Sequence, residues 1–176
     1  MVDGQPVAIA GAKQKHDIIV TNAIIVTNAL IRIGGKLDSA PGCPFTADVT
    51  VVTRAHNGRR SDFGVDCGPV NPESMTATEP RLVLEVFSRS TRSLDQIAKL
   101  DDYKGVPSIE HIVLVDPYSL KIIAWSRNDD RSWSHETLRG LDTVLALPAI
   151  GVELRLADLC AGLAVQPRPR LVPPAA

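Results

Sequence analysis

Residues 84–117 read LEVFSRSTRSLDQIAKLDDYKGVPSIEHIVLVDP, and this stretch decides which fold class the chain can adopt. It overlaps the run Arg81–Phe87, which is nearly continuous in aliphatic residues and is typical of a central strand covered on both faces. The pattern then predicts a helix over Thr91–Lys104, stopped by Gly-Val-Pro, and another strand over Ile109–Val115. A strand, a helix and a strand in succession predict a sheet with helices packed against it.

The sequence before this stretch predicts a further helix and two strands. Polar residues recur at spacings of four, seven and four along Lys13–Ile33, which places them on one helical stripe and leaves a broad aliphatic face for a sheet. Asp48–Thr53 and Asp62–Cys67 are short runs typical of strands, and Asn57-Gly58 between them is a turn signal. We therefore expect these two strands to form a hairpin.

Strands dominate the rest of the expected structure. The remaining expected elements are strands at Gln5–Ala10, Leu120–Trp125, Trp133–Leu138 and Leu145–Leu156, and a short helix near Ala157–Gly162. Prolines and arginines recur among the C-terminal residues, so we expect 1–163 to form a single domain and 164–176 a disordered tail. The expected fold class is α/β, in the form of an α+β sandwich with a mixed central β-sheet flanked by helices.

The composition limits the classes of function. The chain has 176 residues, of which 44% are hydrophobic, and this is enough for one sizeable core. Lys and Arg total 19 against 20 Asp and Glu, so a nucleic-acid partner would have to use a local basic patch. The loop Arg54–Arg60 is one candidate for phosphate contacts, and a solvated polar loop is the alternative. The three widely spaced cysteines indicate neither a disulfide framework nor a zinc site.

No segment is predicted to direct the chain to a membrane or out of the cell. The first ten residues lack a positively charged stretch followed by an apolar one. Polar residues interrupt the aliphatic run Asp17–Ile33 too often for a membrane-spanning helix. We therefore expect a cytoplasmic protein without a membrane partner.

Glu85 is the most informative residue, because it lies inside a run that otherwise belongs to a core. An ionised carboxylate buried there is unfavourable unless it is paired or bound to a cation. Asp62 begins the preceding predicted strand, so the two carboxylates could converge on one divalent cation through hard oxygen ligands. Two alternatives stay open. An arginine or a backbone amide could satisfy Glu85, and Asp48 or Asp66 could take the role of Asp62.

The predicted helix after Glu85 presents a second set of polar residues. Lys99 lies four residues after Asp95 and four before Tyr103, so all three share one face that could point to the strand carrying Glu85. Salt-bridge support of an exposed helix is the alternative. The residues expected to face the core are Leu94, Ile97, Ala98 and Leu100. The sequence contains no H-E-x-x-H metal spacing, no nucleophile elbow and no phosphate-binding glycine loop.

Residues 84–117 resemble the signature block of the Uma-type restriction endonuclease family, a branch of the PD-(D/E)XK nuclease superfamily. The shared motifs are a strand with E-V-x-S, then S-T-R, a helix with D-x-x-x-K-x-x-x-Y and a strand ending in V-D-P. Upstream, His16-Asp17 resembles the family's opening helix, and SDFGVDCGP at 61–69 resembles its P-D-V-V-V-x-C-G-P segment. The resemblance covers most of the chain and implies a restriction-endonuclease-like core in one domain.

The resemblance also implies a function. It implies a metal-dependent endonuclease, an Mg-dependent endodeoxyribonuclease that hydrolyses phosphodiester bonds, with DNA preferred over RNA as the nucleic-acid partner. By the motif, Asp62, Glu85 and Lys99 are the implied catalytic residues, and Asp62 and Glu85 are the implied ligands of Mg²⁺ or Mn²⁺. Related folds commonly form dimers, so a homodimer is a further expectation, and Trp125 and Trp133 lie on strands that could form its surface.

Three positions depart from the family pattern. Ser61 and Arg89 stand where the family usually has proline, and Phe87 occupies the strand position where many related nucleases have lysine. The alternative function is therefore a catalytically degenerate member that serves as a binding or assembly module. A third hypothesis is a structural domain in which Glu85 and Lys99 form an internal ion pair.

Overall fold

The computed structural model describes residues 13–33, 42–87 and 94–163. Its helices and strands are, in chain order, α1 Gln14–Ile33, β1 Cys43–Thr46, β2 Val51–Arg54, β3 Asn57–Arg59, β4 Phe63–Asp66, β5 Pro80–Val86, α2 Leu94–Lys104, β6 His111–Asp116, β7 Lys121–Arg127, β8 Trp133–Arg139, β9 Val144–Leu147, β10 Val152–Arg155 and α3 Leu156–Leu159. The strand expected at Gln5–Ala10 and the tail expected at 164–176 lie outside the described residues. Within these residues, no helix combines the length and the apolar character needed to cross a membrane.

A six-stranded mixed sheet forms the centre of the described structure. Its strand order is β1-β4-β5-β6-β7-β8. β5 and β6 are parallel, whereas the other neighbours in the sheet are antiparallel. The connection between β5 and β6 contains α2, as parallel neighbours require a crossover. The predicted α+β sandwich with a mixed central sheet is therefore confirmed.

Helices and small hairpins cover both faces of this sheet. One core lies beneath α1, α3 and the β9–β10 hairpin, and the other lies beneath α2 and the β2–β3 hairpin. The alternation of side chains along β5 divides them between the two cores. Leu82, Leu84 and Val86 belong to the first core and Val83 to the second. The same alternation places Glu85 on the face that α2 covers.

The predicted hairpin between Asp48–Thr53 and Asp62–Cys67 is wrong. β2 pairs instead with β3, so Asn57 and Gly58 lie in a strand rather than in the turn. β4 pairs with β1 on one side and with β5 on the other. Because β4 is buried on both faces, it needs a partner strand on each side, and the four residues of β1 are too few to show a periodic pattern.

The predicted inward face of α2 is also wrong in part. Ile97 is 60% exposed, and Ala98 is exposed too. Leu100 is half-buried against the second core, and Tyr103 is almost fully buried in it. Tyr103 is the largest of the fully buried side chains, so the helix turns its tyrosine face, rather than its isoleucine, toward the sheet.

Arg127 attaches the C-terminal end of α2 to the sheet. Its guanidinium donates hydrogen bonds to the backbone carbonyls of Lys104 at 3.2 Å, Val106 at 2.8 Å and Ile109 at 2.8 Å. The carbonyl of Lys104, the last residue of α2, lacks a partner within the helix, and the guanidinium satisfies it, whereas the other two carbonyls belong to the loop before β6. The guanidinium also lies 4.3 Å from the centre of the Trp133 ring. Arg127 therefore fixes the C-terminal end of α2 against the sheet.

Ser61 provides a test of the packing before β4. It is fully buried, and its hydroxyl has no hydrogen-bond partner among the residues that the structure describes. A buried hydroxyl without a partner costs about 1–3 kcal/mol. We expect Ser61→Ala to raise the free energy of unfolding by about 1 kcal/mol in a urea titration. Ser126→Ala is the control and should lower this free energy, because that hydroxyl hydrogen-bonds to His111 Nδ1 at 3.1 Å. If Ser61→Ala were less stable than the wild type, the Ser61 hydroxyl would not be a buried group without a hydrogen-bond partner.

His111 provides a test that depends on pH. Its Nε2 accepts the N–H of Ala149 at 3.3 Å, so Nδ1 carries the proton and donates it to Ser126. Burial lowers the pKa of His111 from its ordinary value of 6.5. The unfolded chain therefore binds a proton first as the pH falls, and stability present above the unfolded pKa is lost as the pH falls through the folded pKa. In urea titrations, His111→Gln should lose less stability than the wild type between about pH 7.5 and about pH 5. Equal losses of stability in the two proteins would show that His111 does not contribute to the pH dependence of stability.

Candidate active site

Asp62 and Glu85 lie next to each other across two antiparallel strands. Phe63 of β4 pairs with Leu84 of β5, and continuing this register by one residue places Asp62 opposite Glu85. Side chains at opposite positions of an antiparallel pair share a face, with Cβ atoms about 5 Å apart. The backbone N–H of Val86 donates to Asp62 Oδ2 at 2.7 Å and orients that carboxylate. The sheet register thus brings the two predicted carboxylates together.

Helix α2 supplies the partners of Glu85. Lys99 Nζ donates to Glu85 Oε2 at 2.9 Å, and the Tyr103 hydroxyl donates to Oε1 at 2.8 Å. Lys99 and Tyr103 are about one turn apart, so both side chains leave the helix on the same face, as the sequence predicts. The Glu85 side chain is only 12% exposed, so its charge depends on these two donors.

The charges in this cluster oppose one another. Burial raises the pKa of Glu85 above its ordinary value, the Lys99 ammonium acts against this rise, and the Asp62 carboxylate adds to it. Burial, followed by the charge of Glu85, holds the pKa of Tyr103 well above its ordinary value. The phenol therefore remains a hydrogen-bond donor to Glu85. Two neighbouring carboxylates facing one ammonium attract further positive charge.

His16 joins the cluster from the first turn of α1. Its Nε2 lies 3.0 Å from Asp62 Oδ2. The hydrogen bond to Asp62 raises the pKa of His16, burial acts in the opposite direction, and the charges of Asp62 and Glu85 add to the rise. The sequence did not identify His16 as a site residue, because the contact depends on how α1 packs against the sheet. The one available signal was the resemblance of His16-Asp17 to the opening helix of the family.

Asp66 and Asp48, the two alternatives to Asp62, lie in other places in the structure. The Asp66 carboxylate accepts backbone N–H groups from Gly68 at 3.1 Å, Thr78 at 2.7 Å and Glu79 at 2.7 Å. Asp66 therefore holds together the loop between β4 and β5. Asp48 is exposed in the segment between β1 and β2. Asp62 is the one aspartate of these three that the structure brings to Glu85.

The donor set around Asp62 and Glu85 fits a hard divalent cation. Two carboxylates on one face supply oxygen ligands, and no described residue donates a hydrogen bond to Asp62 Oδ1. Across the described ranges, no three His, Cys, Asp or Glu side chains converge as metal ligands. Mg²⁺ is commonly held by one or two carboxylates and keeps several waters, so this donor set suits Mg²⁺ better than a metal that requires a cage of protein ligands.

Known proteins resemble the chain along most of its length. The family model Uma2, described as "Putative restriction endonuclease", matches residues 1–158. The uncharacterized protein slr1290 of Synechocystis sp. is 29% identical over 165 residues, which cover 92% of this chain and 83% of that protein. The uncharacterized protein sll1609 of the same organism is 29% identical over 66 residues, which are 38% of this chain and 37% of that protein.

A solved structure shares the fold. The crystal structure of "a putative nuclease belonging to DUF820" from Anabaena variabilis matches with a TM-score of 0.68 at 15% identity, over 90% of this chain and 87% of that chain. This likeness shows the fold, and the family model supplies the relationship. The resemblance seen in residues 84–117 is confirmed, and the chain belongs to the Uma2 restriction endonuclease family.

Proposed function

We propose that this protein is a metal-dependent endonuclease that hydrolyses phosphodiester bonds in DNA, with Mg²⁺ or Mn²⁺ as its cofactor. The observation that carries the proposal is the position of Asp62 beside Glu85 across β4 and β5, with Lys99 hydrogen-bonded to Glu85. Membership of a restriction endonuclease family supports a nuclease reaction. The proposal includes a cytoplasmic location and a homodimeric state, as the sequence leads us to expect.

The protein's contribution to the reaction is to hold both carboxylates in place. When bound, a divalent cation at Asp62 and Glu85 would lower the pKa of a coordinated water and neutralise charge on the scissile phosphate. Val86 N–H and His16 fix the Asp62 carboxylate. Tyr103 and Lys99 fix the Glu85 carboxylate. Because these contacts exist before any substrate arrives, neither carboxylate has to be ordered during the reaction.

Lys99 is the residue that we propose acts on the reacting groups. An ammonium has three N–H donors, and Glu85 Oε2 uses one of them. The other donors would orient the attacking water or bind a phosphate oxygen as negative charge develops. Phe87 leaves the strand without a lysine at this end, and its N–H donates to the carbonyl of Val115 at 2.8 Å. The lysine from α2 would therefore replace a lysine from the strand.

A catalytically inactive binding or assembly module is the second candidate function. Phe87 in place of lysine favours it, as does the occupation of both Glu85 oxygens by Lys99 and Tyr103. In the third hypothesis, a structural domain, Glu85 and Lys99 would form an internal ion pair, and each would depend on the other for its stability without any metal.

Binding of a divalent cation separates the nuclease from both alternatives. We expect folded wild-type protein to bind Mn²⁺ in isothermal titration calorimetry, and Asp62→Asn and Glu85→Gln each to bind it at least roughly tenfold more weakly. Loss of an outer-shell partner alone typically has an effect of about this size. Glu153→Gln is the control, because it removes an exposed carboxylate from β10, and it should bind as the wild type does. Absence of Mn²⁺ binding by the folded wild type would rule the proposal out.

Cleavage of supercoiled plasmid tests the role of Lys99. In Mg²⁺, Lys99→Met should cut roughly 100-fold more slowly, the size of effect expected for loss of one donor to developing negative charge. Lys104→Met, the same substitution on the same helix but outside the carboxylate cluster, is the control and should cut at nearly the wild-type rate.

Stability must be measured alongside these rates. Lys99→Met leaves Glu85 buried without its cation, so it should also lower the free energy of unfolding, by about 3 kcal/mol. Rates are therefore compared at a temperature at which circular dichroism shows each protein to be folded. Unchanged cutting by folded Lys99→Met would contradict the proposed role. If the wild type neither binds metal nor cuts, and Lys99→Met is much less stable, then Glu85 and Lys99 form a structural ion pair.

A further inference from the structure

Residues 51–60 form a small basic arm, which consists of the β2–β3 hairpin and Arg60. In the described part of the chain, β2 and β3 form a two-stranded sheet of their own, separate from the central sheet. The arm contains three arginines and no acidic residue. The Arg54 side chain is 69% exposed, and Arg60 is exposed as well. A chain with a formal net charge of -1 thus carries three arginines on one short element.

Asp102 attaches this basic arm to α2. Its carboxylate is only 10% exposed, and Arg59 Nε donates to Oδ2 at 2.7 Å. A terminal nitrogen of Arg54 lies 3.5 Å from Oδ1. Arginines of the arm therefore contact both oxygens of one nearly buried carboxylate. The Arg59 contact is a charge-assisted hydrogen bond, which fixes the orientation of a guanidinium as well as its position, whereas the Arg54 contact is an ion pair.

The basic arm is also fixed relative to the candidate active site. Val51, at the base of the arm, is fully buried in the same core as Tyr103. Tyr103 directly follows Asp102 in α2 and hydrogen-bonds to Glu85. One helix therefore holds the arm through Asp102 and the catalytic carboxylate through Tyr103 and Lys99.

We propose that the basic arm binds the phosphate backbone of duplex DNA beside the candidate active site, with Arg54 and Arg60 as the phosphate-contacting residues and Asp102 as the residue that positions Arg54. The inference rests on the proposed function and specifies how that site holds its substrate. Planar guanidinium groups suit phosphate oxygens, and backbone contacts of this kind fix a protein on DNA without reading its sequence.

The composition of the arm favours a duplex over a single strand. Proteins that hold single strands use aromatic side chains on which the bases stack. Residues 46–62 contain no Phe, Tyr or Trp. The arm therefore offers groups that contact the backbone and lacks the usual stacking platform.

Binding of a fluorescent duplex of about 20 base pairs, measured by anisotropy in EDTA so that no cleavage occurs, tests the arm. Arg54→Ala and Arg60→Ala should each weaken binding roughly fivefold and reduce the slope of log affinity against log salt concentration by about one. Arg155→Ala is the matched control, because it removes an exposed arginine from β10, in the layer on the other face of the sheet. If Arg155→Ala lost as much DNA affinity, the effect would come from net charge alone, and the proposal would be overturned.

Asp102→Asn distinguishes positioning from simple electrostatics. The substitution removes one negative charge from the chain, so net charge alone predicts tighter DNA binding. If Asp102 positions Arg54, binding should instead weaken, by roughly threefold or more. Tighter binding would overturn the role of Asp102. Thermal unfolding checks that the variant is folded, and the exposed Arg54→Ala tests the arm independently if it is not.

Cleavage assays separate the failure of this inference from the failure of the proposed function. In Mg²⁺, arm variants that raise KM and leave kcat near the wild-type value support both. If the wild type binds duplex through the arm but does not cut it in the presence of any divalent cation, the nuclease proposal is refuted and the arm proposal stands. A wild type that cuts, with arm variants indistinguishable from Arg155→Ala, would refute the arm and keep the nuclease. Arm-dependent binding that is tighter for a single strand of the same sequence would overturn the duplex assignment.

Discussion

A carboxylate inside the central strand of the sheet is the constraint on which the rest of the structure depends. Glu85 lies in β5, whose aliphatic neighbours fill both cores, and burial makes its charge unfavourable. Lys99 and Tyr103 compensate for this from α2, which must therefore lie across β5 with its tyrosine face toward the sheet. Arg127 then fixes the end of the same helix. The contacts of Lys99 and Tyr103 thus hold α2 against β5 and also form the candidate site.

The second carboxylate is held by different elements. Asp62 is oriented by the sheet through Val86 and by α1 through His16, whereas α2 orients Glu85. The two acidic groups are therefore supported from two helices, and neither depends on the other for its position. Rigid support of this kind is what a catalytic site needs, since small displacements of reacting groups lower the rate strongly. The basic arm extends the same arrangement, because Asp102 attaches it to the helix that supports Glu85.

Much of this fold could be predicted from the sequence where the signal is local. Periodicity located α1 to within one residue, and the sequence of strand, helix and strand around α2 followed from an aliphatic run and a Gly-Val-Pro stop. The pairing of β4 could not be predicted locally, because it depends on which strands bury its two faces. The inward face of α2 was partly wrong because a buried hydrogen bond to Glu85, rather than the count of apolar residues, sets the rotation of the helix.

The residues of the candidate site also divide into those that local sequence signals predict and those that they do not. Glu85 could be recognised because it is out of place in a core strand, and Lys99 and Tyr103 follow from their spacing on one helix. Asp62 was selected from three aspartates by family resemblance, and the sheet register supplies the physical reason for that choice. His16 escaped notice because its contact joins two elements that are distant in the sequence.

We propose above all that Asp62 and Glu85 together bind a divalent cation. The most direct test is anomalous diffraction from crystals of the wild-type protein grown with Mn²⁺, because manganese can be located without assuming its ligands. We expect an anomalous peak in contact with carboxylate oxygens of both Asp62 and Glu85, and no such peak in Glu85→Gln crystals grown in the same way. A well-ordered site without a peak, with Lys99 and Tyr103 still bound to Glu85 at saturating Mn²⁺, would contradict it.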